Sequence, residues 1–170
     1  MTLTAKNIIL IGMPGAGKST IGLLLAKKLG KDFVDTDQLI QQAHNRSLQQ
    51  IIDKSGYLTL RQNEEQILIN LAHADTVIAT GGSAVYSDSG MQRLRANGVV
   101  VFLDLNLEEL KRRVTNFNER GIARRSDQSM EDLYAERRPL YQQYADITLD
   151  CTALDIQKTL QSVLKILDNQ

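Results

Sequence analysis

The chain has 170 residues, of which 42% are hydrophobic and 24% are charged. This size and balance predict one compact domain, residues 1–170, rather than two domains or a disordered chain. The 20 lysines and arginines equal the 20 aspartates and glutamates, which excludes a global charge that would attract nucleic acid or an anionic membrane. The single cysteine, Cys151, excludes an internal disulfide framework, and we expect it to be a buried small hydrophobe.

Membrane and secretory signals are missing from the sequence. No apolar run approaches the length of about 20 residues that a membrane-spanning helix needs, and the amino terminus lacks the pattern of a signal peptide. We therefore expect a cytoplasmic protein. No internal repeat or low-complexity segment divides the chain, and its two prolines leave no room for a proline-rich linker.

Short apolar segments alternate with helical periodicity along the chain. The apolar segments predict strands at residues 8–11, 33–35, 76–79, 99–103 and 147–149. The periodic segments predict helices near residues 18–29, 38–54, 58–73, 88–96, 106–115, 129–144 and 154–168. This alternation predicts an α/β fold with a five-stranded, mainly parallel sheet covered by helices on both sides. In such three-layer folds, ligands bind at the carboxyl ends of the strands.

A glycine-rich segment, residues 12–20, follows the first predicted strand and precedes a helix. This order fits a phosphate-binding loop, because glycines bring backbone N–H groups close to phosphate oxygens at the amino terminus of a helix. We expect Lys18 to contact the β- and γ-phosphates of a nucleotide and Ser19 to ligate Mg²⁺. A glycine-rich turn without chemical meaning is the alternative. The residues predicted to bind the nucleotide are Gly12, Gly15, Ala16, Gly17, Lys18, Ser19 and Thr20.

Two aspartates, Asp35 and Asp37, follow the second predicted strand at the same edge of the sheet as the glycine-rich loop. Alternation along an extended segment sends both side chains to one face. One carboxylate can hold a magnesium-bound water while the other binds or deprotonates an acceptor hydroxyl, as phosphoryl transfer requires. The alternative for Asp37 is structural, since an aspartate at that position can cap the following helix.

The turn after the third predicted strand reads Thr-Gly-Gly-Ser, residues 80–83. The paired glycines, Gly81 and Gly82, expose backbone donors and permit a substrate to approach closely. An ordinary turn between a strand and a helix is the alternative.

Seven arginines lie between residues 112 and 138. Guanidinium groups bind phosphate or carboxylate through two hydrogen bonds, and one brought over a γ-phosphate stabilises the charge that develops during transfer. We predict a mobile lid at about residues 116–129, whose closure would exclude water. The alternative is a solvated helix face on which arginines pair with nearby carboxylates. The arginines assigned to that face are Arg112, Arg124, Arg125 and Arg138.

Together these motifs resemble the shikimate kinase family, small P-loop kinases that transfer the γ-phosphate of ATP to the 3-hydroxyl of shikimate in chorismate and aromatic amino acid biosynthesis. The resemblance runs nearly end to end. The phosphate loop is shared with many nucleotide-binding proteins, whereas residues 33–37, Phe-Val-Asp-Thr-Asp, are similar to the family's paired-aspartate segment. The resemblance implies that Asp35 supports the metal through water and that Asp37 binds the hydroxyls of the substrate.

Further motifs of the family have counterparts here. Residues 60–64 resemble its Phe-Arg-x-x-Glu element, which implies that Arg61 holds the carboxylate of shikimate. Residues 136–141 resemble its Glu-Arg-x-Pro-Leu-Tyr segment, which implies that Arg137 is a second substrate-binding arginine. Gly81 and Gly82 match the first two of three consecutive glycines that the family places beside the substrate.

The resemblance also assigns two arginines to ATP. Arg113 and Arg120 have the spacing of the family's adenine-stacking arginine and its lid arginine. The P-loop kinase fold, ATP and Mg²⁺ are likewise implied. The expected roles are catalytic for Lys18, Asp37 and Arg120, and metal-binding for Ser19 and Asp35. The expected substrate-binding residues are Asp37, Arg61, Gly81, Gly82 and Arg137.

Two positions depart from the family pattern. Ser83 stands where the third glycine is expected, and its side chain restricts the backbone and takes space beside the acceptor. The lid reads Arg-Gly-Ile-Ala at residues 120–123, where the family has arginine, proline and leucines, and its glycine loosens the hinge. Another small hydroxylated acid is therefore an alternative acceptor.

The expected partner is a small-molecule substrate, without nucleic acid or membrane, and the expected state is a monomer. One alternative function is a kinase for a different hydroxylated metabolite. Another is a non-catalytic nucleotide-binding regulatory module, which would need the phosphate loop but neither Asp37 nor Arg120.

Overall fold

The computed structural model describes residues 6–169 and shows a parallel five-stranded sheet between two layers of helices. The strands are β1 (Asn7–Ile11), β2 (Asp32–Asp35), β3 (Thr76–Ala79), β4 (Gly98–Asp104) and β5 (Ile147–Asp150). Within the described residues the α-helices are α1 (Lys18–Leu29), α2 (Thr36–His44), α3 (Leu48–Ser55), α4 (Tyr57–Asn70), α5 (Asp88–Asn97), α6 (Leu107–Arg113), α7 (Met130–Tyr144) and α8 (Ile156–Asp168). A 3₁₀ turn, Ala84–Tyr86, precedes α5.

The strand order β2-β3-β1-β4-β5 confirms the α/β prediction. Each of the four strand pairs is parallel, and β1 lies in the centre with every residue buried. Strands of this kind are apolar throughout because helices cover both faces of the sheet. All five predicted strands are present. Their carboxyl ends bring residues 11–13, 35–37 and 80–83 to one edge, where the candidate site lies.

The helix predicted across residues 38–54 is wrong in one respect, because it is two helices, α2 and α3. Asn45 ends α2 with a left-handed backbone, φ 48°, which asparagine tolerates better than most residues. Ser47 then begins α3: its side chain accepts from the backbone N–H of Gln50, whose own side chain accepts from the Ser47 N–H. The chain therefore turns between the two helices.

Residues 114–129, the α6–α7 segment, contain neither helix nor strand and include the residues of the predicted lid. The segment packs onto helices α2, α3 and α4 through a small apolar cluster apart from the main core. The cluster consists of Ile40, Ile51, Leu60 and Ala123. Because Ala123 is 3% exposed, this part of the segment is seated against the three helices rather than extended into solvent.

Two further expectations concern burial and membranes. Cys151 is 2% exposed at the end of β5, and burial raises the pKa of its thiol to about 11, so it is an inert core residue as predicted. Within residues 6–169 we find no helix that combines the length and the apolar character needed to cross a membrane.

Candidate active site

The glycine-rich loop has the backbone that its sequence predicts. Gly12, Gly15 and Gly17 have φ values of 149°, 87° and 91°, which residues with a side chain rarely adopt. The loop is also closely packed, since a Cβ placed on Gly12 would lie 2.8 Å from the carbonyl oxygen of Leu103. Helix α1 begins directly after Gly17, so its free N–H groups point into the concave side of the loop.

Lys18 is the first residue of α1 and is buried. Its Nζ donates to the carbonyl oxygens of Gly12, at 2.7 Å, and Met13, at 2.9 Å. Burial lowers the pKa of Lys18 to about 8, against the opposing attraction of Asp37. The ammonium group is thus held over the loop in a site where its charge is only partly solvated.

Ser19 and Asp35 form a direct contact at the mouth of the loop. Ser19 Oγ donates to Asp35 Oδ2 at 2.5 Å, while Asp35 Oδ1 accepts the backbone N–H groups of Asp37, at 3.0 Å, and Gln38, at 3.3 Å. Asp35 is therefore the residue that caps α2, and the alternative that Asp37 is the cap is wrong. Asp37 lies in the first turn of α2 without capping it, and it lines the cleft beside the loop.

A cleft of about 180 Å³ lies between the loop, the carboxyl ends of the strands and the α6–α7 segment. It brings together Lys18, Asp37, Gly82, Arg120 and Arg137, as the sequence predicted for one shared site. Gly12 and Ala16, which were also predicted to bind the nucleotide, are buried and do not line the cleft. The complete lining is Pro14, Gly15, Gly17, Lys18, Ser19, Thr20, Asp37, Ile40, Leu48, Leu60, Glu64, Thr80, Gly82, Ser83, Arg120, Gly121, Ile122, Ala123 and Arg137.

Two carboxyl groups, those of Asp37 and Glu64, face the floor of the cleft beside Gly81. Burial, and secondarily the negative charge of Asp35, raises the pKa of Asp37 to about 6. Burial and the neighbouring Asp37 raise the pKa of Glu64 to about 7. A Cβ on Gly81 would lie 2.6 Å from Asp37 Oδ1, so a glycine is needed where this backbone passes the carboxyl groups. Carboxyl groups with pKa values near neutrality are suited to proton transfer.

Ser83 fits the backbone of the glycine turn, and it lines the cleft. Its backbone has φ −92° and ψ 1°, which any residue can adopt, and its hydroxyl donates to Glu64 Oε2. The other carboxyl oxygen, Oε1 of Glu64, is buried and has no hydrogen-bond partner among residues 6–169. Sequence motifs identified Glu64 only as part of a pattern, whereas the structure shows a buried acceptor that lines the cleft.

The side chains of Arg61 and Arg137 meet at one atom. Nη2 of Arg61 and Nη2 of Arg137 donate to the carbonyl oxygen of Ala123, at 3.3 and 2.7 Å. Arg137 is 1% exposed and lines the cleft, whereas Arg61 lines an adjoining cavity of about 370 Å³ that shares Glu64 and Ser83 with it. The two predicted substrate-binding arginines are therefore neighbours, although 76 positions separate them in the chain.

Tyr86 is a residue of this region that the sequence did not single out. Its ring lies against Arg61, and its hydroxyl contacts both Arg137 and Glu136. No local pattern identifies it, because its partners come from α4 and α7 and meet only in the folded chain.

Arg113 and Arg120 occupy different surroundings. Arg120 is exposed and lines the cleft. Arg113 does not line it; its Nε donates to Glu109 Oε1 at 2.7 Å, and hydrogen bonds from Arg112 and Arg113 lower the pKa of Glu109 to about 2. Here Arg113 is part of an ion pair along α6.

The remaining arginines mostly pair with carboxylates, as predicted. Arg112 binds Glu109 three residues away on α6. Arg138 instead pairs with Asp104 at the end of β4, at 2.7 Å. Arg124 differs from the prediction, because it donates to three backbone carbonyls, including that of Gln128 at 2.9 Å, and so holds the α6–α7 segment together.

Ser19 and Asp35 are also the residues that fit a magnesium ion. Mg²⁺ prefers oxygen ligands and binds to nucleotides through one or two protein oxygens together with phosphate and water. A hydroxyl and a carboxylate at the loop mouth match this donor set. No cluster of three or more histidine, cysteine or acidic side chains suited to a metal occurs in the described part of the chain.

Comparisons with known proteins agree with this geometry. The family model "Shikimate kinase" matches residues 14–168. Shikimate kinase of Pseudomonas aeruginosa (strain LESB58) is 39% identical over 94% of this chain and 94% of that protein. Shikimate kinase of Haemophilus influenzae (strain PittEE) is 34% identical over 96% of this chain and 93% of that protein.

Among solved structures, the shikimate kinase from Acinetobacter baumannii in complex with shikimate is similar with a TM-score of 0.89 and 31% identity, covering 99% of this chain and 96% of that one. The match extends through the phosphate loop, the cleft and the α6–α7 segment. The chain belongs to the shikimate kinase family.

Proposed function

We propose that this chain transfers the γ-phosphate of ATP to the 3-hydroxyl of shikimate. The observation that carries the proposal is the convergence of Arg61 and Arg137 on one oxygen, beside a cleft that also holds Lys18 and Asp37. The proposal uses Lys18 for phosphate, the two arginines for a carboxylate and Asp37 for proton transfer, and it is supported by the presence of Lys18, Asp37 and Arg137 in one cleft. The solved relative in complex with shikimate supports the choice of acceptor.

Asp37 orients the acceptor hydroxyl and removes its proton. Its carboxylate is free of the helix cap and is buried, and its pKa of about 6 leaves it ionised yet basic at neutral pH. Burial also means that a hydroxyl bound there exchanges part of its water shell for a contact with the carboxylate.

Arg61 and Arg137 bind the carboxylate of shikimate. In this structure the carbonyl oxygen of Ala123 takes the hydrogen bonds of both guanidinium groups, which shows that their N–H groups can serve a single acceptor oxygen. A carboxylate offers two such oxygens with a full negative charge, and guanidinium groups bind it more strongly than a neutral carbonyl. The α6–α7 segment would shift to release Ala123 as the substrate enters.

Lys18 and Arg120 stabilise the phosphoryl group, and the backbone N–H groups of residues 15–20 hold the other phosphates. When bound, Mg²⁺ would neutralise phosphate charge, and Ser19 and Asp35 are the residues placed to hold it. Arg113 would reach the adenine after leaving Glu109. Closure of the α6–α7 segment, as a lid over helices α2–α4, would exclude water so that only the acceptor hydroxyl receives phosphate. The proposed state is a monomer.

The decisive experiment measures ADP release with shikimate and with other small hydroxylated acids such as gluconate. The expected result is turnover that depends on shikimate, with kcat/KM at least a hundredfold above that for the other acids, because the proposal requires the carboxylate and the reacting hydroxyl to have the spacing that joins the two arginines to Asp37. Turnover stimulated by another acid would reassign the acceptor. Basal ATP hydrolysis that no acceptor increases would contradict the kinase and favour a nucleotide-binding module.

A further inference from the structure

We propose that Tyr86 is the positioning residue that fixes the relative placement of Arg61 and Arg137, and so sets the selectivity of the site for a carboxylated acceptor. The inference rests on the proposed function, because it concerns the two arginines assigned there to the carboxylate of the substrate. Tyr86 lines the adjoining cavity but not the cleft, so it acts through the arginines and not on the reacting atoms.

The first contact is the stacking of Arg61 on the Tyr86 ring. The guanidinium carbon of Arg61 lies 3.6 Å from the centre of the Tyr86 ring. The same carbon lies 5.1 Å from the centre of the Tyr57 ring. Nε of Arg61 is buried and has no hydrogen-bond partner among residues 6–169. Apart from its hydrogen bond to the carbonyl oxygen of Ala123, at 3.3 Å, Arg61 makes only a long contact to Glu136, at 3.9 Å, so aromatic stacking is a principal restraint on the plane of its guanidinium group.

The second contact is made by the Tyr86 hydroxyl. It donates to Oε1 of Glu136 and accepts a hydrogen bond from Nε of Arg137 at 3.3 Å. The direction of both bonds is fixed, because an ionised carboxylate only accepts and a guanidinium only donates. One aromatic side chain therefore restrains Arg61 through its face and Arg137 through its oxygen.

The backbone of Tyr86 is itself tied to the cleft. The residue ends the 3₁₀ turn that follows Gly81 and Gly82, and its N–H donates to the carbonyl oxygen of Ser83 at 3.1 Å. The hydroxyl of Tyr141 donates to the carbonyl oxygen of Gly82 at 2.6 Å and holds the same turn from α7. Tyr86 thus transmits the position of the glycine turn, which borders Asp37, to both arginines.

The test compares Tyr86→Leu and Tyr86→Phe with wild-type protein, using shikimate and its uncharged methyl ester as acceptors. If Tyr86 acts through the arginines on a carboxylate, Tyr86→Leu raises the KM for shikimate roughly tenfold, the size of one lost cation–π contact, with little change in kcat or in the KM for ATP. Its kcat/KM for the ester stays near the wild-type value, so the preference for acid over ester falls. Tyr86→Phe keeps the ring but lacks the hydroxyl. Its KM for shikimate should rise only roughly threefold, the effect expected from the loss of one hydrogen bond.

Tyr134→Leu is the matched control, because Tyr134 is a half-buried tyrosine on α7 that does not line the cleft. An equal loss for acid and ester in Tyr86→Leu would indicate a merely structural role and overturn the inference, as would an unchanged preference in both variants. If Tyr86→Leu does not fold, Tyr86→Phe decides alone through the same acid-to-ester ratio. Wild-type protein that does not use shikimate, or uses acid and ester alike, would instead overturn the proposed function.

Discussion

The hydroxyl of Ser83 donates a hydrogen bond to Glu64 Oε2, which joins the turn after β3 to helix α4 directly beside Asp37. This contact restrains a buried carboxyl group whose other oxygen has no partner in the described residues. Burial and the charge of Asp37 raise the pKa of Glu64 to about 7, whereas the hydrogen bond from Ser83 acts in the opposite direction. The ionised form of Glu64 therefore depends on Ser83.

This relationship predicts the effect of Ser83→Gly on the pH dependence of stability. A carboxyl group whose pKa is higher in the folded than in the unfolded state binds a proton on folding, so the free energy of unfolding falls as pH rises from about 4.5 to about 7. Without the hydroxyl, the pKa of Glu64 rises further and the fall in stability continues to higher pH. Thermal unfolding measured between pH 5 and pH 9 should show a steeper loss of Tm in Ser83→Gly.

Glu64→Gln supplies the comparison, because a neutral side chain of the same shape removes the ionisation. The Tm of Glu64→Gln should exceed that of wild-type protein by several degrees at pH 8 and by little at pH 5. In a domain of this size, each kcal/mol of unfolding free energy shifts the Tm by roughly 2–4 °C. Glu65→Gln on the same helix controls for the loss of one carboxylate. Parallel Tm curves for wild type and Glu64→Gln would show that Glu64 is not protonated in this range.

Activity is predicted to depend on the ionisation of Asp37. Burial raises its pKa to about 6, and a protonated carboxyl cannot accept the proton of the acceptor hydroxyl, so kcat/KM should fall as pH falls through about 6. Asp37→Asn should lower kcat roughly 100-fold or more and abolish this acid limb. Glu64→Gln should retain the limb. A limb that persists in Asp37→Asn would assign the proton transfer to another group.

Lys18→Ala tests the charge held over the phosphate loop. The ammonium group is buried and makes two hydrogen bonds to loop carbonyls, so its position is preorganised and water solvates it little. Its removal should cost on the order of 2 kcal/mol or more of transition-state stabilisation, seen mainly in kcat. Lys27→Ala, in the last turn of the same helix, is the control and should have near-wild-type turnover. Comparable rates in both variants would contradict the role of Lys18.

Local chemistry explains which features the sequence predicted. The phosphate loop is encoded within nine consecutive residues, and its glycines have the positive φ angles that their pattern predicts. The choice between Asp35 and Asp37 as the helix cap was not predictable, because either aspartate has the composition of a cap and only the folded backbone decides. The break at Asn45 was missed for a similar reason, since the apolar periodicity continues across it.

Contacts across the chain were less accessible from the sequence. Family motifs indicated Arg61 and Arg137 separately, yet their meeting at Ala123, and the role of Tyr86 between them, depends on how α4, α7 and the glycine turn pack. A tyrosine that follows a glycine turn does not form a sequence motif from which its contacts could be predicted. The side-chain network around the cleft is therefore a property of tertiary packing.

Gly81→Ala tests the close passage of the backbone beside the two carboxyl groups. The added Cβ would lie 2.6 Å from Asp37 Oδ1, closer than a carbon and an oxygen can approach, so the carboxyl group must move. We expect kcat to fall at least tenfold while the KM for ATP changes little. Gly30→Ala is the control, because Gly30 has a positive φ, 66°, that strains an added side chain, but no atom lies within 4 Å of the added group, whereas Gly81 has no such φ. Equal losses of activity in both variants would show that the contact with the carboxyl groups is not responsible.

Arg61→Leu separates acceptor binding from nucleotide binding. Arg61 lies outside the phosphate cleft and shares one acceptor oxygen with Arg137, so its loss should raise the KM for shikimate at least tenfold and leave the KM for ATP nearly unchanged. Arg61→Lys keeps the charge but not the planar fork and should recover only part of the affinity. Arg93→Leu, on the exposed face of α5, is the matched control. Because the chemical step depends on Asp37 and Lys18, kcat should fall less than kcat/KM for shikimate. An unchanged KM for shikimate would show that Arg61 does not bind the substrate.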